Sequence, residues 1–307
     1  MSQQFFYCSE LSRGAAEKTF GTASIGNVWL LLEYPYGWGP EALDESSLSA
    51  PVKSYLNKFL KTVPRARFLF IKQERKESDE RMAFVVRCRE RSPSIAQFKL
   101  SSYEQLLDVD ITTIAAGEMP RGVSPSASPL YLVCTHGRRD KCCAKFGYPL
   151  YKSLRSLNHA VWQSSHVGGD RFAANLVCFP HGLFYAHVTE EASRRVIEEY
   201  EARRVVLDKY RGRACYSYPV QAAEYFIRKE AGIAGLDELR RLGCERVRER
   251  SWRARFMTAD GKTIHEALVR SAPSDFQSYT TCQSTERKNV IQYLLDDYHA
   301  SDVRQEA

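Results

Sequence analysis

With 307 residues, 44% hydrophobic and 26% charged, the chain has the composition of a soluble globular protein too long for one small core, so two or three domains are expected. No stretch approaches the roughly 18 apolar residues of a membrane span, and the opening MSQQFFYCSE lacks the basic and apolar regions of a secretory leader, which makes the cytoplasm the expected compartment. The formal charge of +7 is dispersed among 37 acidic residues; it suits an acidic partner protein better than nucleic acid, and no membrane contact is expected.

Residues 27–34 (NVWLLLEY) form an apolar run of strand length, as in a strand buried on both faces. Pro51 suits the first turn of a helix that carries Val52, Tyr55, Leu56, Phe59 and Leu60 at helical spacing. Residues 68–72 and 82–88 predict two strands about the charged turn 74–81, 97–100 a fourth strand and 103–107 a short helix. The Gly-, Pro- and Ser-rich stretch 117–128 reads as a linker. A strand at 130–133, a helix at 143–157 and a strand at 161–165 follow. Next come a hairpin from 174–179 to 183–188, turned at Pro180-His181-Gly182, and a helix from 190 to 204 with Thr189 as its N-cap.

The order β-α-β-β-β-α therefore occurs twice, which predicts an α/β fold of two thioredoxin-like units with mixed sheets, 1–122 and 123–210. KYRGR at 209–213 reads as a boundary. The region 211–307 is expected to be α+β, with helices at 221–230 and 236–242 and strands at 244–258 and 262–270 joined by the Asp260-Gly261 turn. Residues 289–298 fit either strand or helix.

Chemistry concentrates in the second unit. Nine cysteines, odd in number and scattered, read as buried thiols, metal ligands or redox groups in a reducing compartment. Cys134 ends a strand, Cys143 starts a helix, and His166 precedes Gly168 and Gly169, whose freedom of φ lets backbone approach a bulky inorganic group. Arg138, Arg139 and Lys141 are placed to offset negative charge and to lower thiol pKa values. Neighbouring side chains diverge, so one of Cys142 and Cys143 is expected to pack. The plain alternatives are core thiols for Cys134 and Cys178, and a salt bridge or turn cap for Asp170. No P-loop, dinucleotide fingerprint, nucleophile elbow or HExxH motif is present, and no pair of glycosidase carboxylates can be identified.

CTHGRRDKCC at 134–143 and HVGGDRFAAN at 166–175 resemble the sucrase/ferredoxin-like family, relatives of thioredoxin-like ferredoxins. Gly21-Thr22-Ala23, the run 29–33, Trp38-Gly39 and the run 210–213 resemble it too. The resemblance implies a 2Fe–2S electron carrier rather than a stand-alone enzyme, with Cys134 and Cys143 on one iron and His166 on the other. Eukaryotic relatives have a second histidine four residues after the first; here Asp170 stands in that place. The fourth bond is left to Asp170, to Cys178, Cys142 or His136, or to an exchangeable ligand, and a site without a cluster is a further alternative. A carboxylate ligand implies a lower reduction potential than a second imidazole. His136 is also suited to hydrogen bonding behind the ligands. Two rival readings use the same residues: a thiol–disulfide oxidoreductase, and a structural zinc module that binds a partner.

Overall fold

Helix α1 (Cys8–Gly14), which the sequence did not signal, precedes the apolar run, whose core is strand β1 (Val28–Glu33). That strand is buried along its whole length because it lies inside a ten-stranded sheet, parallel to β2 (Ala66–Lys72) and antiparallel to β3 (Arg81–Arg87). The structure, a computed structural model, describes residues 6–74, 79–157 and 160–303. The first five residues of the opening segment, 75–78 of the charged turn, and His159 lie outside that set. Helix α2 (Ala50–Thr62) has Pro51 in its first turn and lays Val52, Leu56 and Phe59 against Leu30, Leu32 and Phe70. Strand β4 (Ser94–Leu100) pairs with β3, and the short helix expected at 103–107 is a 3-10 helix, Tyr103–Asp108. Helix α3 (Ile111–Ala116) follows; inside the linker, β5 (Ser124–Pro125) pairs with β4.

The second half repeats the arrangement. Strand β6 (Leu130–Cys134), helix α4 (Lys141–Ser156) and parallel strand β7 (Val161–Ser164) precede the antiparallel strands β8 (Leu176–Phe179) and β9 (Leu183–Tyr185). Helix α5 (Glu190–Glu201) begins at Thr189, whose hydroxyl accepts the Ala192 N–H. The first half reads β2-β1-β3-β4 across the sheet and the second β7-β6-β8-β9, so both halves have one strand order. They join where β2 meets β7 antiparallel, Ile71 opposite Ser164, and the two mixed sheets become one. The chain is α/β.

The sheet curls around a central core that draws on both halves: Trp29, Leu31 and Phe84 from the first, Leu132, Val177 and Phe184 from the second. Alternate residues of β6, Tyr131 and Val133, face the opposite side, under α4 and α5. The run 210–213, read as a boundary, is the buried edge strand β10 (Tyr210–Arg213), paired with β9.

Helix α6 (Tyr218–Ala231) packs on a second, four-stranded antiparallel sheet. No helix forms at 236–242: those residues lead into β11 (Leu239–Arg248), which turns at Glu249-Arg250 into β12 (Ser251–Thr258). The Asp260-Gly261 hairpin leads to β13 (Thr263–Ser278), longer than the sequence implied, and 289–298 lies in β14 (Lys288–Asp302). Among the described residues, no helix is long and apolar enough to cross a membrane.

Candidate metal centre

Strands β6 and β7 are parallel neighbours with Cys134 opposite Ser164, so the loops that follow them leave the sheet from one edge. Carboxyl ends of parallel strands are where α/β sheets offer binding crevices. The first loop returns into α4, whose N-cap Asp140 accepts the Cys142 N–H, and this sets Cys143 in the first turn, at the positive end of the helix dipole. The helix can seat there because residue 147 is glycine: a Cβ at Gly147 would lie 2.0 Å from the Cys134 carbonyl oxygen.

The second loop is pinned carbonyl by carbonyl. Ser24 Oγ donates to Val167 O (2.6 Å), Arg211 to Gly168 O (3.0 Å) and Asn175 Nδ2 to Gly169 O (2.9 Å). Gly168 and Gly169 have φ of +93° and +83°, which L side chains rarely adopt, and side chains there would strike Ser24 and Arg211. His166 enters this loop on its own backbone N–H, donated to His136 Nδ1 at 3.2 Å.

The result is convergence. The ligand atoms of Cys134, Cys143 and His166 all lie within 4.8 Å of one another. Asp170 joins them, its Oδ1 3.5 Å from Cys143 Sγ and 3.1 Å from His166 Nδ1. The second contact is within ion-pair reach but off the line of a hydrogen bond, so His166 Nδ1 is buried without a hydrogen-bond partner. A buried ring nitrogen without a hydrogen bond, beside two buried thiols and a carboxylate, fits a metal or metal–sulfide group.

The electrostatics follow from contact. Hydrogen bonding to Cys143, and then to His166, holds the Cys134 thiol well below its ordinary range against the opposing effect of burial. Cys143 is pushed up by its bond to Cys134 and by burial, so of the two thiols Cys134 is the more acidic. Burial pulls His166 down, but the bond to Cys134 together with the charges of Cys134 and Asp170 outweighs this and its pKa is raised. Burial raises Asp170, offset in part by His166. Arg139 acts on both His166 and Asp170 while paired with Glu41. Arg138 is exposed, and the Lys141 ammonium lies over the rings of Phe6 and Tyr7, at 5.5 and 5.2 Å.

Two of the alternative fourth ligands are directed elsewhere, and the third is already engaged. Cys178 is opposite Tyr131 on β8 and sits in the core on the other face of the sheet from Cys134. Cys142 turns away from Cys143 toward Cys8 and Cys282. His136 uses both ring nitrogens: Nδ1 accepts from His166, so Nε2 carries the proton and donates to Gly39 O at 2.8 Å. Among the described residues, Asp170 pairs with His166 rather than with an arginine.

Sequence reasoning did not assign Arg211. It is fully buried, ties Thr22 to Gly168 and Asn175, and so gives the resembling pieces at 21–23, 166–175 and 210–213 a shared purpose: holding the histidine loop. The clefts of about 560 Å³ on the molecule, lined by residues such as Pro93 and Arg203, contain no thiol–imidazole group. A smaller one, about 320 Å³, opens on the site between Pro40, Arg67, His136, Arg139 and His166.

A 95-residue stretch is 32% identical to the protein "Altered inheritance of mitochondria protein 32" of Meyerozyma guilliermondii, covering 27% of this chain and 34% of that relative. The chain thus matches about a third of the relative's length. No solved structure matches. Residues 19–212, which include every ligand candidate of this centre and every residue that pins its two loops, match the sucrase/ferredoxin-like family model, and the chain belongs to that family.

Proposed function

We propose that the chain is a 2Fe–2S electron-transfer protein in which Cys134 and Cys143 hold one iron and His166, with Asp170 beside it, the other. The observation that supports this most is the meeting of two buried thiols and an imidazole from separate loops, the ring's Nδ1 standing beside the Asp170 carboxylate without a hydrogen bond of its own. Bound there, such a group takes up and releases a single electron.

The chain's own residues do the rest. The two thiols, 1% and 0% exposed, exclude water, while the His166 side chain is 24% exposed and faces the cleft. His166 is therefore the natural exit for the electron. Arg67 at that mouth, beside the Arg139–Glu41 pair, suits an acidic redox partner. Burial of both thiols argues against disulfide exchange with a protein substrate, which needs an accessible thiolate.

Compactness favours a second reading. Ligand atoms within 4.8 Å of one another approach the edge of one tetrahedral ion, about 3.8 Å between sulfurs, whereas a two-iron group holds its end ligands further apart. A single zinc or iron ion is the alternative. Iron and acid-labile sulfide measured on anaerobically purified protein separate the two: two irons and two sulfides per chain are expected, and zinc without sulfide sinks the proposal. Asp170→His should then raise the reduction potential, because a neutral ligand replaces an anionic one.

A further inference from the structure

Cys8, Asp140, Cys142 and Cys282 form a second group whose ligand atoms all lie within 4.8 Å of one another. From the sequence, Cys8 and Cys282 read as ordinary thiols and one of the adjacent pair Cys142 and Cys143 as packing. The structure brings the three cysteines together from α1, from the first turn of α4 and from the connection between β13 and β14. Their sulfurs are 3.2 Å apart for Cys142 and Cys282, 3.5 Å for Cys282 and Cys8, and 3.6 Å for Cys8 and Cys142.

None of these is a bond, since a disulfide is about 2.0 Å long. All are near or below the edge of about 3.8 Å that follows from zinc–sulfur bonds of about 2.3 Å in a tetrahedron. The fourth corner is a carboxylate: both Asp140 oxygens lie 3.9 Å from Cys8 Sγ. Asp140 is 1% exposed and is held by the Cys142 N–H (2.8 Å) and the Cys282 N–H (2.6 Å), the kind of support that orients a ligating carboxylate. Two more backbone N–H groups point at sulfur, Cys8 at Cys282 Sγ (3.4 Å) and Ser9 at Cys142 Sγ (3.5 Å), as around metal thiolates. Apolar packing of thiols would not bury a carboxylate among them, and a disulfide would use two sulfurs and leave the third with it.

We infer that Cys8, Cys142, Cys282 and Asp140 form a closed structural zinc site, separate from the centre at Cys134, Cys143 and His166. Zinc takes three thiolates and one carboxylate, the thiol protons leave to solvent, and no electron moves. The ion cross-links α1, the ligand loop and the C-terminal sheet, residues 134 and 140 apart along the chain.

The test is metal content of the full chain from zinc-supplemented cells, purified without chelator, in parallel with iron and sulfide. One zinc per chain is expected. Cys8→Ser and Cys282→Ser should each lower zinc at least about tenfold, the loss that even supporting residues produce, and leave iron in place. Cys134→Ser should lose iron and keep zinc, so the two sites can fail independently. Should a variant not fold, Co²⁺ titration of the reduced, metal-free wild-type chain still decides. Binding of a second equivalent, with thiolate charge-transfer and tetrahedral d–d bands, supports the site; at most one equivalent overturns it. Zinc lost with Cys134→Ser but retained in Cys282→Ser also overturns it, as does a zinc-free chain whose mass shows a disulfide among these three cysteines.

Discussion

His136 accepts the backbone N–H of His166 on Nδ1, at 3.2 Å, and donates from Nε2 to Gly39 O, at 2.8 Å. One histidine thus fixes where the other stands, and the Trp38-Gly39 corner fixes the first. Burial holds the pKa of His136 below its ordinary value, as this neutral arrangement requires. His136→Ala leaves a buried donor and a buried acceptor unpaired. A loss of about 1–3 kcal/mol is expected in urea unfolding, together with metal retention about 10–100-fold weaker. Unchanged metal content would show that His166 holds its place without this support.

Arg211 makes a second prediction. Its guanidinium donates to Thr22, Gly168 and Asn175 at once while wholly buried, and burial pulls its pKa down to about 9. Lysine carries the charge but cannot reproduce the fork. Arg211→Lys should therefore leave at least two acceptors unsatisfied and cost about 2–4 kcal/mol. Metal retention should fall with it, although Arg211 is not among the candidate ligands. A stable Arg211→Lys chain with full metal content would mean that the histidine loop is held by Ser24 and Asn175 alone.

The residues that repaid reading in isolation were those whose surroundings are local. The run at 27–34 became β1, Thr189 became an N-cap, and Asp260-Gly261 turned a hairpin. Elements whose fate depends on distant partners were read differently. Residues 236–242 have helical spacing but are drawn toward β12, and strand pairing prevailed over local preference. KYRGR looks like a solvated boundary because buried arginines are rare; Arg211 and Arg213 are buried because Gly168, Asn175 and Glu224, far away or on another element, receive them. Cys8 and Cys282 carry no motif at all. Only the fold shows that they meet, 274 residues apart.

A pH dependence follows from His181. It is 6% exposed between the Tyr200 hydroxyl and Arg203. Arg203 can only donate, so Nε2 accepts, Nδ1 carries the proton, and the ring is neutral. Burial, and after it Arg213 and Arg203, pulls the pKa from 6.5 to about 4. A lowered histidine pKa means that the unfolded chain binds the extra proton. The contribution is therefore present above about 6.5 and is lost as pH falls to about 4, up to about 3 kcal/mol in all. His187, lowered to about 4 by burial, acts in the same direction, whereas Asp140, raised by burial to about 7, acts in the opposite one. The His181 share is read by difference: the stability gap between wild type and His181→Gln should be widest near neutrality and shrink toward pH 4. A gap constant over that range would mean that His181 is not held neutral.

Glu224 ties the C-terminal region to the half that carries the candidate metal centre. Its carboxylate accepts from Arg213 (2.8 Å), Arg228 (3.1 Å) and the Tyr210 hydroxyl (2.8 Å), and the three charged side chains are at most 3% exposed. Burial alone would raise its pKa, but the two guanidiniums outweigh burial and lower it. A depressed carboxylate contributes stability above its unfolded value of 4.5 and loses it as pH falls through the folded one. Glu224→Gln leaves two buried cations facing each other and should cost about 3–5 kcal/mol. Glu199→Gln, which breaks the surface pair with Arg204, should cost no more than about 1 kcal/mol. The damage should also travel. Tyr210 and Arg213 flank Arg211 on β10, so a loosened strand no longer holds the Gly168 carbonyl, and metal content should fall together with stability. A Glu224→Gln chain that unfolds early yet keeps its full metal content would separate the two halves mechanically, and the histidine loop would then owe nothing to the buried ion triad.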